Sequence, residues 1–86
     1  MIRRGSYVIS LKGHDTGKIY LVTDLDGASA YVSDGREHKI ARPKRKNIKH
    51  IFPILDGHIE DPAVMTDGVL RKLIKEKGNI FDSIIN

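Results

Sequence analysis

The sequence predicts a mostly β domain, a small SH3-like barrel of about five antiparallel strands with one C-terminal helix. Two observations predict this class: short apolar runs alternate with glycine turns through residue 55, and the hydrophobic period becomes helical after residue 65. Eighty-six residues make one small domain. We expect a barrel over residues 1–55, a connector over 56–65, and a helix and tail packed on the barrel over 66–86. An open meander is the alternative arrangement of the strands.

The first strands follow from period-two patterning. Tyr7, Ile9 and Leu11 alternate with their neighbours, and the run Ile19–Leu25 is rich in β-branched and aromatic residues. The glycine-bounded loop GHDTG separates these two strands.

Two Asp-Gly pairs predict the next turns. Asp26-Gly27 and Asp34-Gly35 suit type I′ hairpins, in which both central residues have positive φ. Ala28–Ser33 should therefore pair with Ile19–Leu25 on one side and with Arg36–Arg42 on the other. Pro43 cannot donate to a ladder and should mark a strand end or an edge. The run Ile48–Leu55, broken by Pro53, is expected to form the last strand.

The helix is expected to begin after Thr66, which can cap it, with Asp67 at the positive end of its dipole. Met65 and Leu70 would pack across the cap. Gly78 is the expected C-terminal stop, and the remaining NIFDSIIN could pack on the barrel or fray. The residues expected on the apolar face are Val69, Leu70, Leu73 and Ile74.

Residues 36–50, REHKIARPKRKNIKH, concentrate the positive charge. Seven lysines and arginines against Glu37 give this segment +6, and since the chain carries +4, the remainder carries −2. Such a field attracts polyanions, of which nucleic acid is the commonest in a cell. The alternative interpretation is a solvated strand edge on which lysines prevent aggregation.

The glycine loop is the second indication of a polyanion partner. Gly13 and Gly17 let the backbone bend sharply, and exposed amides flanked by Lys12, His14 and Lys18 could meet a phosphate. A purely structural turn is the alternative.

Together these segments resemble a known family. The stretch GSYVISLKGHDTGKIYLV resembles a KOW motif, and DGREHKIARPKRKNIKHI resembles the second half of small bacterial KOW-domain RNA-binding proteins. Those proteins are in turn similar to a KOW-bearing large-subunit ribosomal protein of archaea and eukaryotes. The resemblance covers residues 3–53. It implies an SH3-like barrel that binds RNA, often ribosomal RNA, through loops and a basic edge. Tyr20 stands where many KOW motifs carry a glycine, which favours the ribosomal over the transcription-factor type.

Other classes of function have little support in the sequence. There is no cysteine, the four histidines are irregularly spaced, and no nucleotide-binding fingerprint is present, so we expect no metal, no cofactor, no small-molecule substrate and no enzymatic activity. No stretch approaches the roughly 20 apolar residues of a membrane helix. We expect a cytoplasmic protein without membrane contact.

The leading hypothesis is an RNA-binding module, associated with the ribosome or its assembly, whose partners are RNA and ribosomal proteins. Cationic contacts to phosphate give affinity and position, and RNA shape gives selectivity. Tyr20 and Tyr31 are the preferred candidates for stacking a base. The alternative is a protein-interaction module that docks a partner through the barrel or the helix. The predicted RNA-binding residues are Lys12, His14, Lys18, Arg36, Lys39, Arg42, Lys44, Arg45, Lys46, Lys49 and His50.

Overall fold

Five antiparallel strands form one sheet in the computed structural model, which describes residues 1–54 and 59–85. The spatial order is β4-β3-β2-β1-β5, so that β1 lies between β2 and the last strand. The two edge strands, β4 and β5, are joined by a 3₁₀ turn, Ile48–His50. The predicted class, a mostly β, barrel-like sheet with one C-terminal helix, is confirmed. The strands are β1 (Tyr7–Ser10), β2 (Ile19–Asp26), β3 (Ser29–Ser33), β4 (Lys44–Asn47) and β5 (Ile51–Pro53).

Alternation along the strands divides the apolar side chains between the two faces of the sheet. Val8 pairs with Tyr20 and both lie in the barrel interior, whereas the adjacent pair, Tyr7 and Leu21, packs on the opposite face against the helix. Burying a large apolar side chain contributes about 1.5–3 kcal/mol. The interior cluster consists of Val8, Tyr20, Val22, Ala30, Val32 and Ile51.

The helix α1 (Asp67–Ile85) begins where the sequence predicts. The amide of Val69 donates to Thr66 Oγ1 over 3.2 Å, which is the expected cap. Leu70 is fully buried against Tyr7 and Leu21, whereas Val69, which was expected on the same face, is exposed to solvent. The predicted stop at Gly78 is wrong, because the helix continues seven residues beyond it to Ile85. Glycine weakens a helix interior by only about 1 kcal/mol, which packing against the sheet can override.

The predicted strand over Arg36–Arg42 is wrong: β3 pairs with Lys44–Asn47 instead. Asp34 Oδ1 accepts from the amides of Arg36 and His38, which winds the chain into a turn. The Ile40 amide donates to Asp67 Oδ1 at the start of the helix over 2.9 Å. Donors that a ladder would need are therefore committed to local turns and to the helix. Pro43 directly precedes β4, as expected of a strand end.

Two other boundaries differ in detail. The β2–β3 hairpin forms as predicted, but Gly27 has a φ of 58° while no non-glycine residue of the described chain has positive φ. Its two-residue loop is therefore Gly27-Ala28 with glycine first, as in a type II′ turn and not in the expected type I′. The predicted strand Ile48–Leu55 shortens to β5 because Ile48–His50 forms the 3₁₀ turn, which the Asn47 side chain caps.

The connector folds back on the two residues that precede β1. Ile59 forms an isolated bridge with Ser6, and the Glu60 amide donates to the Gly5 carbonyl over 3.0 Å. A short 3₁₀ turn, Pro62–Val64, follows. The part of the connector at residues 55–58, with His58, lies outside the described residues. No helix in the described ranges is both long and apolar enough to cross a membrane.

Candidate nucleic-acid interface

A buried carboxylate, Asp15, lies at the centre of the predicted basic site. Its Oδ1 accepts from Lys46 Nζ over 2.7 Å and from Ser10 Oγ over 2.9 Å. Its Oδ2 accepts from Tyr20 OH over 2.8 Å and from Lys44 Nζ over 3.2 Å. Lys46 Nζ also donates to the backbone carbonyl of Lys12, over 3.0 Å. The glycine loop and β4 are thereby held together by a charged, hydrogen-bonded cluster.

These contacts keep Asp15 ionised. Burial by itself would raise the pKa of Asp15, but the hydrogen bonds, that of Lys46 foremost, outweigh burial and hold the pKa well below its usual range. Tyr20 responds in the opposite direction: burial, together with its hydrogen bond to the Asp15 carboxylate, raises the pKa of its phenol above the usual value.

The cluster corrects part of the predicted binding surface. Lys44, Arg45 and Lys46 are among the predicted RNA-binding residues, a role that requires exposed side chains, but the Lys46 side chain is only 8% exposed and Lys44 is half-buried. The physical reason is register: Lys44 pairs with Val32 and Lys46 with Ala30, both on the interior face of the sheet. The charge of Lys46 is committed to Asp15, so this lysine belongs to the fold and is not presented to a ligand.

Local backbone geometry places Asp15 inside. Gly13 and Gly17 have φ of 101° and 89°, in the left-handed region that glycine adopts without strain, which confirms the sharp backbone bend predicted at these two glycines. Thr16 Oγ1 donates to the Gly13 carbonyl over 2.6 Å and tightens the turn. The loop thus turns Asp15 inward, while His14 and the glycines remain exposed.

Most of the other predicted cations are on the surface. Lys18 forms an exposed ion pair with Glu37 over 3.8 Å, and this pair brings the glycine loop next to the turn after β3. The Leu11 amide donates to the His50 carbonyl over 2.8 Å, which places the start of the loop beside the 3₁₀ turn. His50 itself is half-buried. The exposed members of the predicted set are Lys12, His14, Lys18, Arg36, Lys39, Arg42, Arg45 and Lys49.

Arg45 lies on the opposite face of the sheet from its two neighbours in β4. It pairs with Tyr31 of β3, which in turn pairs with Asp24 of β2, so a carboxylate, an aromatic ring and a guanidinium follow one another across three strands. Arg45 Nε donates to Ser29 Oγ over 3.1 Å. Of the two tyrosines predicted to stack a base, only Tyr31 is accessible. Tyr20 is fully buried with its hydroxyl on Asp15, so that prediction is wrong for Tyr20.

A shallow groove of about 430 Å³ borders this row. Arg4 lies at its side, where Nε donates to the Thr23 carbonyl over 3.2 Å and Nη1 lies 3.6 Å from Asp61 Oδ1. The groove combines an aromatic ring, a carboxylate and a cation with apolar walls, which are features of ligand sites. Its lining residues are Arg4, Thr23, Asp24, Tyr31, Ile40, Pro43, Pro62 and Ala63.

Sequence reasoning missed the two carboxylates of this region. The sequence does contain a signal for Asp15. Gly13 and Gly17 already allow the loop to turn, so an aspartate between them and close to lysines is free to form an ion pair. Asp24 carries no such signal, because its pairing with Tyr31 depends on a register shift in β2, a β-bulge between Val22 and Asp24. Among the described residues, no group of three or more histidines and carboxylates is arranged to hold a metal ion. The chain matches no protein-family model and no curated protein.

Proposed function

We propose that the protein is an RNA-binding module that holds phosphates with cations displayed around the glycine loop and the 3₁₀ turn. The observation that carries this proposal is the Asp15–Lys46 ion pair, which fixes the loop bearing Lys12, His14 and Lys18 against the strand that leads to Lys49. Cations on loops that are anchored in this way meet a phosphate backbone with less loss of conformational entropy on binding.

Charge distribution supports the same proposal. Exposed lysines and arginines face solvent on the glycine loop, on residues 36–42 and on the 3₁₀ turn, and the chain as a whole carries +4. Two carboxylates of this region are already in ion pairs: Asp15 with Lys44 and the buried Lys46, and the exposed Glu37 with Lys18. A surface of this sign attracts polyanions over a distance of about one Debye length.

The resemblance of residues 3–53 to KOW-domain proteins suggests which RNA is bound. We infer a role on the ribosome or during its assembly, with ribosomal RNA as ligand and ribosomal proteins as neighbours. Sedimentation of the native protein on a ribosome gradient tests this part of the proposal. Migration with a subunit or a precursor particle at low salt, and release at high salt, is the expected outcome. Migration only at the top of the gradient at every salt concentration would contradict it.

A filter-binding titration with structured RNA over a salt series tests phosphate binding directly. If about four to six phosphates are neutralised, affinity should fall on the order of a hundredfold for a fourfold rise in salt. A salt-independent affinity would contradict the proposal, whatever its magnitude.

The alternative function, a protein-interaction module, would dock a partner through the barrel or through the apolar face of the helix, and the second surface is not free. Leu70 is fully buried, and Leu73 and Ile74 pack against the same cluster, so this helix face stabilises the fold and is not free to dock a partner. Changing Leu70 and Leu73 to serine would unfold the domain and could not isolate partner binding. Docking through the barrel would appear as protein capture that is insensitive to RNA and to salt.

A further inference from the structure

We propose that the groove beside Tyr31 holds one unpaired nucleotide of the bound RNA and that Asp24 selects guanine there. This inference rests on the proposed function and adds to it a base-reading site on the opposite face of the sheet from the Asp15 cluster. It is carried by the row Asp24–Tyr31–Arg45 across β2, β3 and β4 and by the groove that this row borders.

A β-bulge creates the row. Val22 pairs with Val32, but the next paired residue of β2 is Asp24, opposite Tyr31, because Thr23 is the extra residue of the bulge. In a regular ladder Thr23 would face Tyr31, and Asp24 would face Ala30, which is fully buried in the barrel interior. The bulge therefore turns a carboxylate out of the core and brings it beside an aromatic ring. Bulges that redirect a side chain in this way are common at functional sites.

The groove has the size and the walls for a base. Its volume of about 430 Å³ falls in the range of small-ligand sites, roughly 300–1,000 Å³. Tyr31 offers a ring for stacking, and Pro43 and Pro62 add apolar wall. Stacking on an aromatic side chain is the usual way in which single-stranded RNA is held, and it tolerates any base.

Charge complementarity selects an RNA nucleotide as the occupant. Arg45 pairs directly with Tyr31, and its guanidinium is available to the phosphate next to a stacked base. Arg4 lines the groove in an exposed ion pair with Asp61, over 3.6 Å, which is weak enough for a second phosphate to replace. Both guanidinium groups are held in place, Arg45 by Ser29 and Arg4 by the Thr23 carbonyl. An uncharged ligand would not use these groups.

The chemistry of Asp24 then favours guanine. Guanine is the base whose Watson–Crick edge carries two adjacent donors, N1–H and N2–H, and these match the two oxygens of a carboxylate. Asp24 is exposed, and within the described residues Oδ1 accepts only from the next amide, that of Leu25, over 2.9 Å, so acceptor capacity remains on both oxygens. Adenine and cytosine present a single amino group and no adjacent donor on this edge.

Competition binding with three hexanucleotides, UUUGUU, UUUIUU and UUUAUU, tests the inference at low salt. Inosine lacks the N2 amino group. Wild-type protein should bind the guanine strand about tenfold more tightly than the adenine strand, with inosine between them. Asp24→Asn should reduce this ratio to about threefold or less. Asp26→Asn, which changes an exposed carboxylate of the same strand opposite Ser29, is the matched control and should leave the ratio unchanged.

Tyr31→Ala should weaken binding of all three strands by about tenfold, whereas Tyr31→Phe, which keeps the ring, should preserve it.

Equal affinity of the wild-type protein for the three strands, or an unchanged ratio in Asp24→Asn, would overturn the inference. If the three hexanucleotides do not bind while salt-dependent binding of structured RNA persists, the base site is refuted and the proposed function stands. If neither RNA binds, both proposals fall. Because Asp24 is exposed, its variant should fold like the wild type, and a urea titration confirms this.

Discussion

The ammonium nitrogen of Lys46 lies 2.7 Å from Oδ1 of Asp15, although the two residues are 31 positions apart in the chain. Both side chains are only 8% exposed. Bringing this pair out of water costs free energy, and the pair is tolerated because Ser10, Tyr20 and Lys44 satisfy the remaining acceptor capacity of the carboxylate. The ion pair ties the glycine loop to β4 and so defines the geometry of the proposed binding surface.

Removing the lysine of this pair should destabilise the domain strongly. Lys46→Gln leaves a buried carboxylate without its principal partner, and a loss of about 3 kcal/mol in the free energy of unfolding is expected. Urea denaturation measures it. Lys49→Gln is the matched control: Lys49 is exposed, and the change should stay within about 0.5 kcal/mol. Similar stability of the two variants would show that the ion pair contributes nothing to folding.

Lowering the pH should remove the contribution of Asp15 to the stability of the folded domain. The folded state lowers the pKa of this carboxyl, so its stabilisation is complete above the unfolded value of about 4 and is lost as pH falls through the folded pKa. The difference in unfolding free energy between wild type and Asp15→Asn should therefore narrow steadily as pH is lowered from about 5 to 2. Asp26→Asn, which changes the exposed last residue of β2, should differ little from wild type throughout. A constant difference across this range would contradict the ionised state of Asp15.

Exposed cations near the glycine loop should govern RNA affinity without affecting folding. Lys12→Ser with Lys49→Ser removes two expected phosphate contacts, which should lower affinity by about tenfold and reduce the salt slope by about two. The control removes the same charge from the helix surface with Lys72→Ser and Lys75→Ser, both exposed. Filter binding compares the two, and equal losses would indicate attraction by net charge alone. Both double variants should have the same midpoint of urea unfolding as the wild-type protein.

Local patterns in the sequence were sufficient for the fold class, the hairpin at Gly27 and the start of the helix at Thr66. The cluster around Asp15 could not be predicted, because lysines in a basic run look alike until strand register assigns Lys46 to the interior. The strand predicted at Arg36–Arg42 does not form for a different reason. The carboxylates of Asp34 and Asp67 accept hydrogen bonds from backbone amides that a strand would have donated to its neighbour. Such long-range competition for donors leaves no periodic signal in the sequence.

Two glycines with the same backbone requirement should differ in their tolerance of alanine. Gly17 and Gly35 have φ of 89° and 78°, so alanine strains both, by about 1–2 kcal/mol. At Gly17 an added Cβ would have no neighbour within 4 Å among the residues that the structure describes, whereas at Gly35 it would meet the Asp67 carbonyl at 2.5 Å. Gly35→Ala should therefore displace the turn from the helix and cost clearly more than Gly17→Ala in a urea titration. Equal costs would show that backbone strain alone decides.

Gly78→Ala should have the opposite sign and stabilise the protein. Gly78 lies inside α1, so alanine fits its helical backbone and restricts the unfolded chain. An added Cβ would lie 3.7 Å from Ile19 Cδ1, an ordinary packing distance, and would add contact between helix and sheet. The expected gain is about 0.5–1 kcal/mol in the free energy of unfolding, with RNA affinity unchanged because the substitution removes no charge and no predicted RNA-binding side chain. A loss of stability would mean that the helix must remain close to Ile19 or must bend at this glycine.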